Sequence, residues 1–173
     1  YYRLAETGAS GFIAESDIRP LLDPPQLSEV EIDEEVAANA LARTVIIKLN
    51  GGLGTSMGLD GAKTLLPVRD GHTFLDLIVQ QVLAARERHN ARLPLLFMNS
   101  FRTSADTMRA LARYPDLAVD GIPLEFRQNR EPKLRADDLT PVHWPADPDL
   151  EWCPPGHGDI YTALYGSGLL HLL

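Results

Sequence analysis

The chain has 173 residues, of which 45% are hydrophobic and 23% charged, proportions that are ordinary for a globular domain with a hydrophobic core. The formal net charge of −8 argues against non-specific nucleic-acid binding, because no basic block offsets the acidic residues. No apolar run approaches the length of a membrane span, and the single cysteine, Cys153, allows no internal disulfide. These features favour a globular protein of a reducing, cytoplasmic compartment, and the negative charge does not argue against binding a nucleotide.

The N-terminal region is predicted to form an irregular arm followed by one helix. Residues 1–26 contain three prolines and little hydrophobic periodicity, which indicates an arm without regular structure. Ser28 to Ala42 suits a helix, with Ser28 as its cap. The acidic residues there are interpreted as a solvated helix face rather than a metal site: Glu31, Asp33, Glu34 and Glu35. We therefore separate residues 1–42, an arm and helix, from residues 43–173, the main domain.

A short β-branched run, Thr44–Ile47, predicts a buried strand, and a glycine-rich loop follows it. The loop KLNGGLGTSMGLDGAK, from Lys48 to Lys63, has glycine at positions 51, 52, 54, 58 and 61. Glycine is expected where the backbone takes positive φ or lies directly against a ligand. Backbone N–H groups left free in such a loop can bind a phosphate or a flat base, and Lys63 adds a point charge. The sequence therefore predicts a nucleotide or phosphate site at the end of this strand.

Two common glycine motifs do not match this loop. The phosphate-binding P-loop requires glycine directly before its lysine, where this chain has Ala62. The dinucleotide motif G-x-G-x-x-G fits Gly52 and Gly54, but its third glycine position holds Met57. A helix should also open within that motif, whereas this loop runs to Pro67 before any helix signal. Both interpretations are rejected.

Downstream of the loop, helices and strands are predicted to alternate. Thr73 and Asp76 form a capping-box pair that marks the start of a helix. The predicted elements are a helix that ends near His89, a strand at Pro94–Met98, a helix at Thr103–Arg113 and a strand at Ile122–Phe126. This alternation indicates an α/β domain with a largely parallel central sheet. Ligands of such sheets bind at the carboxyl ends of the strands, where the glycine loop, Asn99 and Gln128 should meet.

The C-terminal part is predicted to contain a long ordered loop and a helix. Residues 131–157 hold six prolines together with Trp144 and Trp152, which we expect to be buried. The segment PPGHGD then leads into an amphipathic helix from Ile160 to Leu173, with Asp159 as its cap. Glycines on both sides of His157 would let the backbone approach a ligand. By itself, however, this segment is more typical of a surface turn that carries a histidine.

Four segments, in this order along the chain, resemble the UTP–glucose-1-phosphate uridylyltransferases, or UDP-glucose pyrophosphorylases. They are LNGGLGTSMG followed by G-x-K, Met98-Asn99-Ser100-Phe101, Phe126-Arg127-Gln128-Asn129 and PPGHGD. Ser56 separates the first segment from that of the related UDP-N-acetylhexosamine pyrophosphorylases, which have an arginine at this position. Ala62 departs from the proline that usually precedes the lysine in the family. We expect this departure to change the stiffness of the loop rather than its chemistry.

The resemblance implies a fold, a reaction and a set of site residues. The fold is a Rossmann-like nucleotidyltransferase (GT-A-like) domain. The reaction uses Mg²⁺ and transfers uridylyl from UTP to glucose 1-phosphate by direct in-line attack, giving UDP-glucose and pyrophosphate, so it depends on positioning and charge neutralisation. The residues that the resemblance implies for the nucleotide, through their backbone, are Leu49, Asn50, Gly51 and Gly52. Lys63 is implied for catalysis at the phosphates, and contact with the base is implied for Met98, Gln128 and Gly156. Contact with the sugar phosphate is implied for His157, with Gly51 and Gly52 also near it.

Two of these residues can also be judged from their chemistry alone. The amide of Gln128 offers one acceptor and two donors, which suits the edge of uracil, where an acceptor and a donor lie side by side. The alternative is a solvent-facing glutamine after an edge strand. Met98, taken alone, is simply a core residue.

Family members are longer than this chain, and two of their functional residues have no counterpart in it. The metal-binding aspartate and a second phosphate-binding lysine of the family match no residue of this chain, so we expect the chain to be the N-terminal part of the enzyme. We also expect that Tyr1 is not the natural N-terminus, because the chain does not begin with methionine. No metal ligand is assigned, because four histidines lack metal-ligand spacing: His72, His89, His143 and His171. Two alternatives stay open, namely a pyrophosphorylase with broader sugar 1-phosphate specificity and a non-catalytic relative that binds UTP.

Overall fold

A computed structural model describes residues 6–7, 12–52, 58 and 61–173. Contacts divide the chain into two compact units, Tyr1–Asp33 and Glu34–Leu173, which are treated separately below. In the first unit residues 12–33 form two short 3₁₀ helices, Glu15–Asp17 and Leu27–Glu29, within otherwise irregular chain, as the sequence predicts for residues 12–26. The interpretations that rested on Gly54, Ser56 and Met57 of the glycine loop lie outside the described residues.

Three of the described strands of the second unit alternate with helices as predicted, and the other four were not predicted. The strands are β1 (Ile46–Asn50), β2 (Pro67–Arg69), β3 (His72–Thr73), β4 (Leu95–Asn99), β5 (Glu125–Arg127), β6 (Glu131–Pro132) and β7 (Trp152–Cys153). The helices are α1 (Glu34–Ala42), α2 (Phe74–His89), α3 (Ser104–Leu111) and α4 (Ile160–Gly166). The predicted strands are β1, β4 and β5, although β1 and β5 begin and end later than expected, and the four that were not predicted form two hairpins: β2, β3, β6 and β7. None of the helices in the described part of the chain is long and apolar enough to cross a membrane.

The core of the second unit is a three-stranded parallel sheet in the order β1-β4-β5, which confirms the predicted α/β class. The register pairs Asn50 with Asn99 and Asn99 with Arg127, so the carboxyl ends of the three strands form one edge. Two antiparallel hairpins, β2 with β3 and β6 with β7, lie outside this sheet. The strand order places β4 in the centre and leaves β1 and β5 at the two sides.

Strand β4 is buried on both faces, as expected for a central strand of a parallel sheet. Leu95 and Phe97 pack on one face, in a cluster with residues from α2 and α3: Leu75, Val79, Val82 and Leu111. Leu96 and Met98 pack on the other face, in a cluster with Ile122, Phe126, Ala163 and Leu169. The continuous apolar run of β4 therefore builds two hydrophobic cores, one on each side of the sheet.

Helix α1 begins at Glu34, so the predicted helical start at Ser28 is wrong. Val30 has an extended backbone, with φ of −84° and ψ of 113°, and the residues up to Asp33 are irregular. The β-branched side chains of Val30 and Ile32 lose rotamer freedom in a helix, which disfavours helical structure at these positions. Helix α1 belongs to the second unit, which begins at Glu34, whereas the sequence placed it with the arm.

The C-terminal predictions need two corrections. The helix that begins at Ile160 ends at Gly166, and Gly168 (φ 73°) separates it from a 3₁₀ helix, Leu169–His171, because glycine readily takes the left-handed conformation that ends a helix. The side chain of Trp144 is 53% exposed, contrary to its predicted burial. Trp152 is half-buried, and the Arg130 guanidinium lies 4.5 Å from its ring centroid, a cation–π contact.

Helix α2 has the predicted capping box, and the Asp76 carboxylate also accepts hydrogen bonds from residues beyond it. Asp76 accepts hydrogen bonds from the Thr73 backbone N–H (2.7 Å) and hydroxyl (2.8 Å), from Arg113 Nη2 (2.6 Å) and from the Tyr114 hydroxyl (2.7 Å). Burial alone would raise the pKa of Asp76, but the hydrogen bonds from Thr73 and Tyr114 and the charge of Arg113 outweigh it and lower this pKa.

We expect Asp76→Asn to destabilise the protein at neutral pH and to flatten its acid unfolding. A carboxylate whose pKa is lowered by folding stabilises the native state above its ordinary pKa of 3.8 and loses this contribution as the pH falls through the lower native value. The loss at neutral pH should be about 2–3 kcal/mol, because Asp76 is the buried member of this hydrogen-bond network and the charge that strengthens its four hydrogen bonds is removed, whereas Arg113 is exposed. Urea unfolding at neutral and at acidic pH measures both effects, and an unchanged acid dependence would contradict the role of Asp76.

Candidate functional site

The predicted site segments meet at the carboxyl edge of the sheet. Gly51 follows β1 directly, Ser100 follows β4, and Gln128 follows β5. The backbone N–H of Gln128 donates to the Asn99 carbonyl oxygen at 2.9 Å, so the segment after β5 stays attached to the end of β4. Parallel strands that end in register thus bring together residues far apart in sequence.

The side-chain amide of Gln128 lies directly against the backbone of Gly51. A Cβ atom at position 51 would lie 2.3 Å from Oε1 and 2.6 Å from Nε2 of Gln128, far inside contact distance. Gln128 is only 7% exposed, so the alternative of a solvent-facing glutamine is wrong. Glycine at position 51 is therefore the residue that leaves room for this amide.

The Nε2 group of Gln128 is buried and has no hydrogen-bond partner among the described residues. Leaving a buried donor unpaired costs about 1–3 kcal/mol, so such groups are rare and need an explanation. A bound ligand that accepts a hydrogen bond from this N–H provides one. The role of Gln128 as a recognition group stays a prediction, which its burial and this unpaired N–H among the described residues favour.

A cavity of about 490 Å³ adjoins this amide. It is lined by Phe101, Arg127, Gln128, Asn129 and Arg130, and its volume lies within the range of small-molecule sites. Met98 is fully buried in the core cluster below and offers no surface to a ligand in this structure. Its contact with the base stays a prediction, and packing beneath the site is the role that its position supports.

The PPGHGD segment is joined to the end of β5 through Asp159. The Asp159 carboxylate accepts hydrogen bonds from the backbone N–H (2.6 Å) and the side-chain amide (2.7 Å) of Asn129, and also from the Thr162 hydroxyl. Burial would raise the pKa of Asp159, but the hydrogen bonds from Thr162 and Asn129 outweigh it and lower this pKa. Asp159 makes no capping hydrogen bond to α4, so its predicted role as a cap is wrong.

These contacts place the turn that carries Gly156 and His157 beside Asn129, the neighbour of Gln128. Gly156 has φ of 113° and ψ of −179°, a backbone conformation that is essentially restricted to glycine. His157 opens the 3₁₀ helix His157–Asp159 and is exposed. Three predicted residues, Gln128, Gly156 and His157, are therefore presented by two segments that hydrogen bonds hold together.

A double-mutant cycle should show coupling between Asp159 and Asn129. We expect Asp159→Ala and Asn129→Ala each to destabilise the protein. The double variant should cost about 1 kcal/mol less than the sum, because either single change already breaks the hydrogen bond between the Asn129 side-chain amide and Asp159, whereas the backbone N–H of residue 129 is kept in Asn129→Ala. Unfolding in urea gives the four free energies. Strict additivity would show that the two segments are held together by other contacts.

Lys63 lies on the β1 side of the site, apart from Gln128. It begins the 3₁₀ helix Lys63–Leu65 and is exposed. It lines a cavity of about 430 Å³ together with Lys48, Thr64, Leu66, Phe74 and Ile78. The strand order puts this cavity and the Gln128 cavity on opposite sides of β4, with about 4.8 Å between neighbouring strands. An elongated ligand is needed to contact both.

Lys48 was missed by the sequence analysis. It is a charged residue within the apolar strand β1, a signal that could have been noticed. Its Nζ donates to the Leu49 carbonyl oxygen at 3.2 Å, and its side chain lines the same cavity as Lys63. Two lysines therefore contribute positive charge on the β1 side of the site.

The other predicted residues of the glycine loop offer backbone groups. Leu49 packs at the margin of a core cluster, and the Asn50 side chain is buried in hydrogen bonds to Asn99, Thr107 and Thr64. Gly51 is buried beneath Gln128, whereas Gly52 is exposed. The structure thus allows backbone contacts from these positions and leaves no free side-chain group at Asn50 for a ligand.

The amino-acid sequence matches a family model described as UTP–glucose-1-phosphate uridylyltransferase over residues 2–173. The probable UTP–glucose-1-phosphate uridylyltransferase of Schizosaccharomyces pombe is 39% identical over 160 residues, which cover 88% of this chain and 31% of the relative. UTP–glucose-1-phosphate uridylyltransferase 2 of Dictyostelium discoideum is 42% identical over 145 residues, which cover 82% of this chain and 28% of the relative.

Solved structures of UDP-glucose pyrophosphorylases have the same fold. The L281D mutant from Leishmania major, in complex with UDP-glucose, superposes with a TM-score of 0.85 at 46% identity and covers 98% of this chain and 35% of its own. The enzyme from Trypanosoma brucei gives a TM-score of 0.83 at 44% identity, covering 99% of this chain and 37% of its own. The chain thus spans about a third of the length of its relatives. It belongs to the UTP–glucose-1-phosphate uridylyltransferase family.

Proposed function

We propose that the whole protein transfers uridylyl from UTP to glucose 1-phosphate, giving UDP-glucose and pyrophosphate. The observation that carries the proposal is the buried amide of Gln128, whose Nε2 has no hydrogen-bond partner in the part of the chain that the structure describes and which lies against Gly51 beside a cavity of suitable size. An amide presents a donor and an acceptor side by side, which complements the donor and acceptor on the edge of uracil. Family membership supports the same assignment, because the relatives above carry this activity in their names.

In this proposal the nucleotide lies across the carboxyl edge of the sheet. Uracil occupies the Gln128 cavity on the β5 side, with Gly156 in the adjoining turn, and the triphosphate runs over Gly51 and Gly52 towards Lys63 on the β1 side. The separation of the two cavities suits a ligand with a flat base at one end and a negatively charged chain at the other. His157 is exposed, and in this proposal it contacts glucose 1-phosphate.

The reaction proposed for this site needs positioning and charge neutralisation more than acid–base chemistry. The sugar phosphate oxygen attacks the α-phosphorus of UTP, the bond to the β-phosphate oxygen breaks, and pyrophosphate leaves with the electron pair. Backbone N–H groups of the glycine loop and the ammonium group of Lys63 offset the charge that moves towards the leaving group. The side chains of this chain hold the reactants in line, which by itself accelerates such a transfer.

Magnesium enters this proposal as a companion of UTP. No group of three or more histidine, cysteine or acidic side chains is arranged to hold a metal ion among the described residues, so the chain as described provides no ligand set for it. Mg²⁺ commonly keeps several waters and is bound through substrate phosphates with one or two carboxylates. We therefore propose that Mg²⁺ arrives with the UTP phosphates, and we assign no step to it here.

We also propose a cytoplasmic location. The single cysteine, Cys153, is unpaired in the structure, which is typical of proteins that work in a reducing compartment. Fluorescence microscopy of the tagged whole protein tests this, and a signal confined to a secretory compartment would contradict it.

Pyrophosphate release by the whole protein tests the proposed reaction. The assay contains UTP, Mg²⁺ and one of three sugar phosphates, namely glucose 1-phosphate, galactose 1-phosphate or N-acetylglucosamine 1-phosphate. We expect pyrophosphate to be released only with glucose 1-phosphate. Release with several sugars would replace this proposal with a pyrophosphorylase of broad specificity. Binding of UTP without any release would replace it with a non-catalytic UTP-binding protein.

A further inference from the structure

A buried chain of side-chain hydrogen bonds lies beneath the carboxyl edge of the sheet. The Thr64 hydroxyl donates to Asn50 Oδ1 at 2.7 Å, and Asn50 Nδ2 donates to Asn99 Oδ1 at 2.7 Å and to Thr107 Oγ1 at 2.9 Å. Each of these four side chains belongs to a residue that is at most 6% exposed. The chain continues from Asn99 Nδ2 to Glu125 Oε2 at 2.7 Å, and Glu125 Oε1 accepts from the Ser104 hydroxyl at 2.9 Å.

The donors and acceptors in this series of hydrogen bonds allow only one orientation of the Asn50 amide. The Thr107 hydroxyl donates to the Thr103 carbonyl oxygen at 2.7 Å, so towards Asn50 it acts as an acceptor. Asn50 must therefore direct its NH₂ group at Thr107 and its oxygen at Thr64. The Thr64 hydroxyl must therefore donate its hydrogen bond to Asn50 Oδ1. A buried network whose members are all satisfied in one orientation fixes the side chains that belong to it.

The hydrogen bond between Thr64 and Asn50 closes the glycine loop at its base. Asn50 is the last residue of β1, and Thr64 follows Lys63 in the 3₁₀ helix Lys63–Leu65. Gly51 and Lys63, the two ends of the proposed phosphate site, are therefore each next in sequence to one partner of this bond. We call the hydrogen bond between Thr64 and Asn50 the loop clasp.

We propose that Thr64 is a positioning residue for the phosphates of the nucleotide. Through the loop clasp its hydroxyl holds the turn of Lys63 at a set distance from the backbone N–H groups of Gly51 and Gly52. A triphosphate then meets the ammonium group and the backbone donors already in place, so less ordering is required on binding. This inference rests on the proposed function, which supplies the triphosphate.

Three variants separate positioning from general stability. Thr64→Val keeps the shape of the side chain and removes the donor, whereas Thr64→Ser keeps the hydroxyl. Tyr114→Phe is the matched control, because it also removes one hydroxyl donor to a buried acceptor, Asp76, and takes no part in the loop clasp. The affinities of the whole protein for UTP and for uridine, which lacks phosphates, are measured by calorimetry. Amide hydrogen exchange at Gly51 and Lys63 is measured without ligand.

We expect Thr64→Val to bind UTP about ten times more weakly while its affinity for uridine stays within about twofold of the original. Thr64→Ser should bind UTP almost normally, and Tyr114→Phe should change neither affinity. Without ligand, Thr64→Val should exchange the Gly51 and Lys63 amides about ten times faster, and Tyr114→Phe should not. This pattern assigns the positioning role to the Thr64 hydroxyl.

Two outcomes overturn the inference. Equal losses of UTP affinity in Thr64→Val and Tyr114→Phe would reduce Thr64 to a contributor to general stability. Unchanged hydrogen exchange at Gly51 and Lys63 in Thr64→Val would show that the loop clasp does not hold the loop. Failure of the original protein to bind UTP would instead refute the proposed function, and the exchange measurement would then decide on the loop clasp by itself.

Discussion

Replacing Lys63 with alanine in the whole protein should lower kcat/KM for the proposed UDP-glucose synthesis by about 100-fold or more and leave the protein folded. Removing one group that stabilises developing charge typically costs about 10²–10³-fold in rate. The exposed side chain of Lys63 belongs to no core cluster among the described residues, so the change in the free energy of unfolding should stay within about 0.5 kcal/mol. Steady-state kinetics and a urea titration of the same preparation measure the two effects.

Lys133→Ala and Lys63→Arg provide the controls for this prediction. Lys133 follows β6, in the segment that hydrogen bonds to Glu151 and Val142, and lines neither of the two site cavities, so its loss should leave kcat/KM unchanged. Lys63→Arg keeps the charge but not the compact ammonium group, and it should recover only part of the activity. A near-normal kcat/KM for Lys63→Ala would exclude Lys63 from phosphate binding. An equal loss in Lys133→Ala would indicate an effect of overall charge instead.

Gly51→Ala should nearly abolish UTP binding at a small cost in stability. The new Cβ would lie 2.3 Å from Oε1 of Gln128, so the amide has to leave its position. The flexible end of a side chain can move away more easily than backbone, and the unfolding free energy should therefore fall by about 1 kcal/mol or less. In the proposed function the recognition of uracil depends on the placement of this amide, so we expect a loss of about 100-fold in affinity.

A second substitution at Gln128 tests whether the displaced amide causes this loss. Gln128→Ala removes the recognition group without changing the backbone and should weaken UTP binding by a similar factor. If Gly51→Ala acts through Gln128, the double variant should bind no more weakly than either single variant, a strongly non-additive result. Calorimetric titration with UTP gives these affinities. Additive losses would mean that Gly51 contacts the nucleotide independently of Gln128.

The local elements were predictable because their signals are local. Thr73 and Asp76 lie three residues apart, and both capping hydrogen bonds that this spacing predicts are present. The short apolar runs that became β1 and β4 are bounded by polar residues, and their alternation with helices implied a parallel sheet. The largest errors in helix bounds are the start at Glu34 and the end at Gly166, where neighbouring propensities are weak. The bounds of β1 and β5 were also shifted, and the short strands of the two hairpins were missed.

The site was predictable as a set of segments, but the interactions of its side chains were not. The glycine loop and the segments that contain Gln128 and His157 could be recognised from residue types, spacing and resemblance. That Asp159 binds Asn129 instead of capping its own helix could not, since the two residues are 30 positions apart. The sequence likewise gave no sign that Trp144 would stay exposed.

By itself, the sequence determined the family, the alternation of helices and strands in the central sheet, and the segments of the candidate site, because each depends on residues near one another in the chain. Only the tertiary structure decided that Gln128 packs on Gly51 and that Thr64 closes the glycine loop through Asn50. Such contacts join groups that strand register brings within hydrogen-bond distance. A buried donor or acceptor has to find a partner wherever the fold provides one, and no local spacing in the sequence records which partner that is.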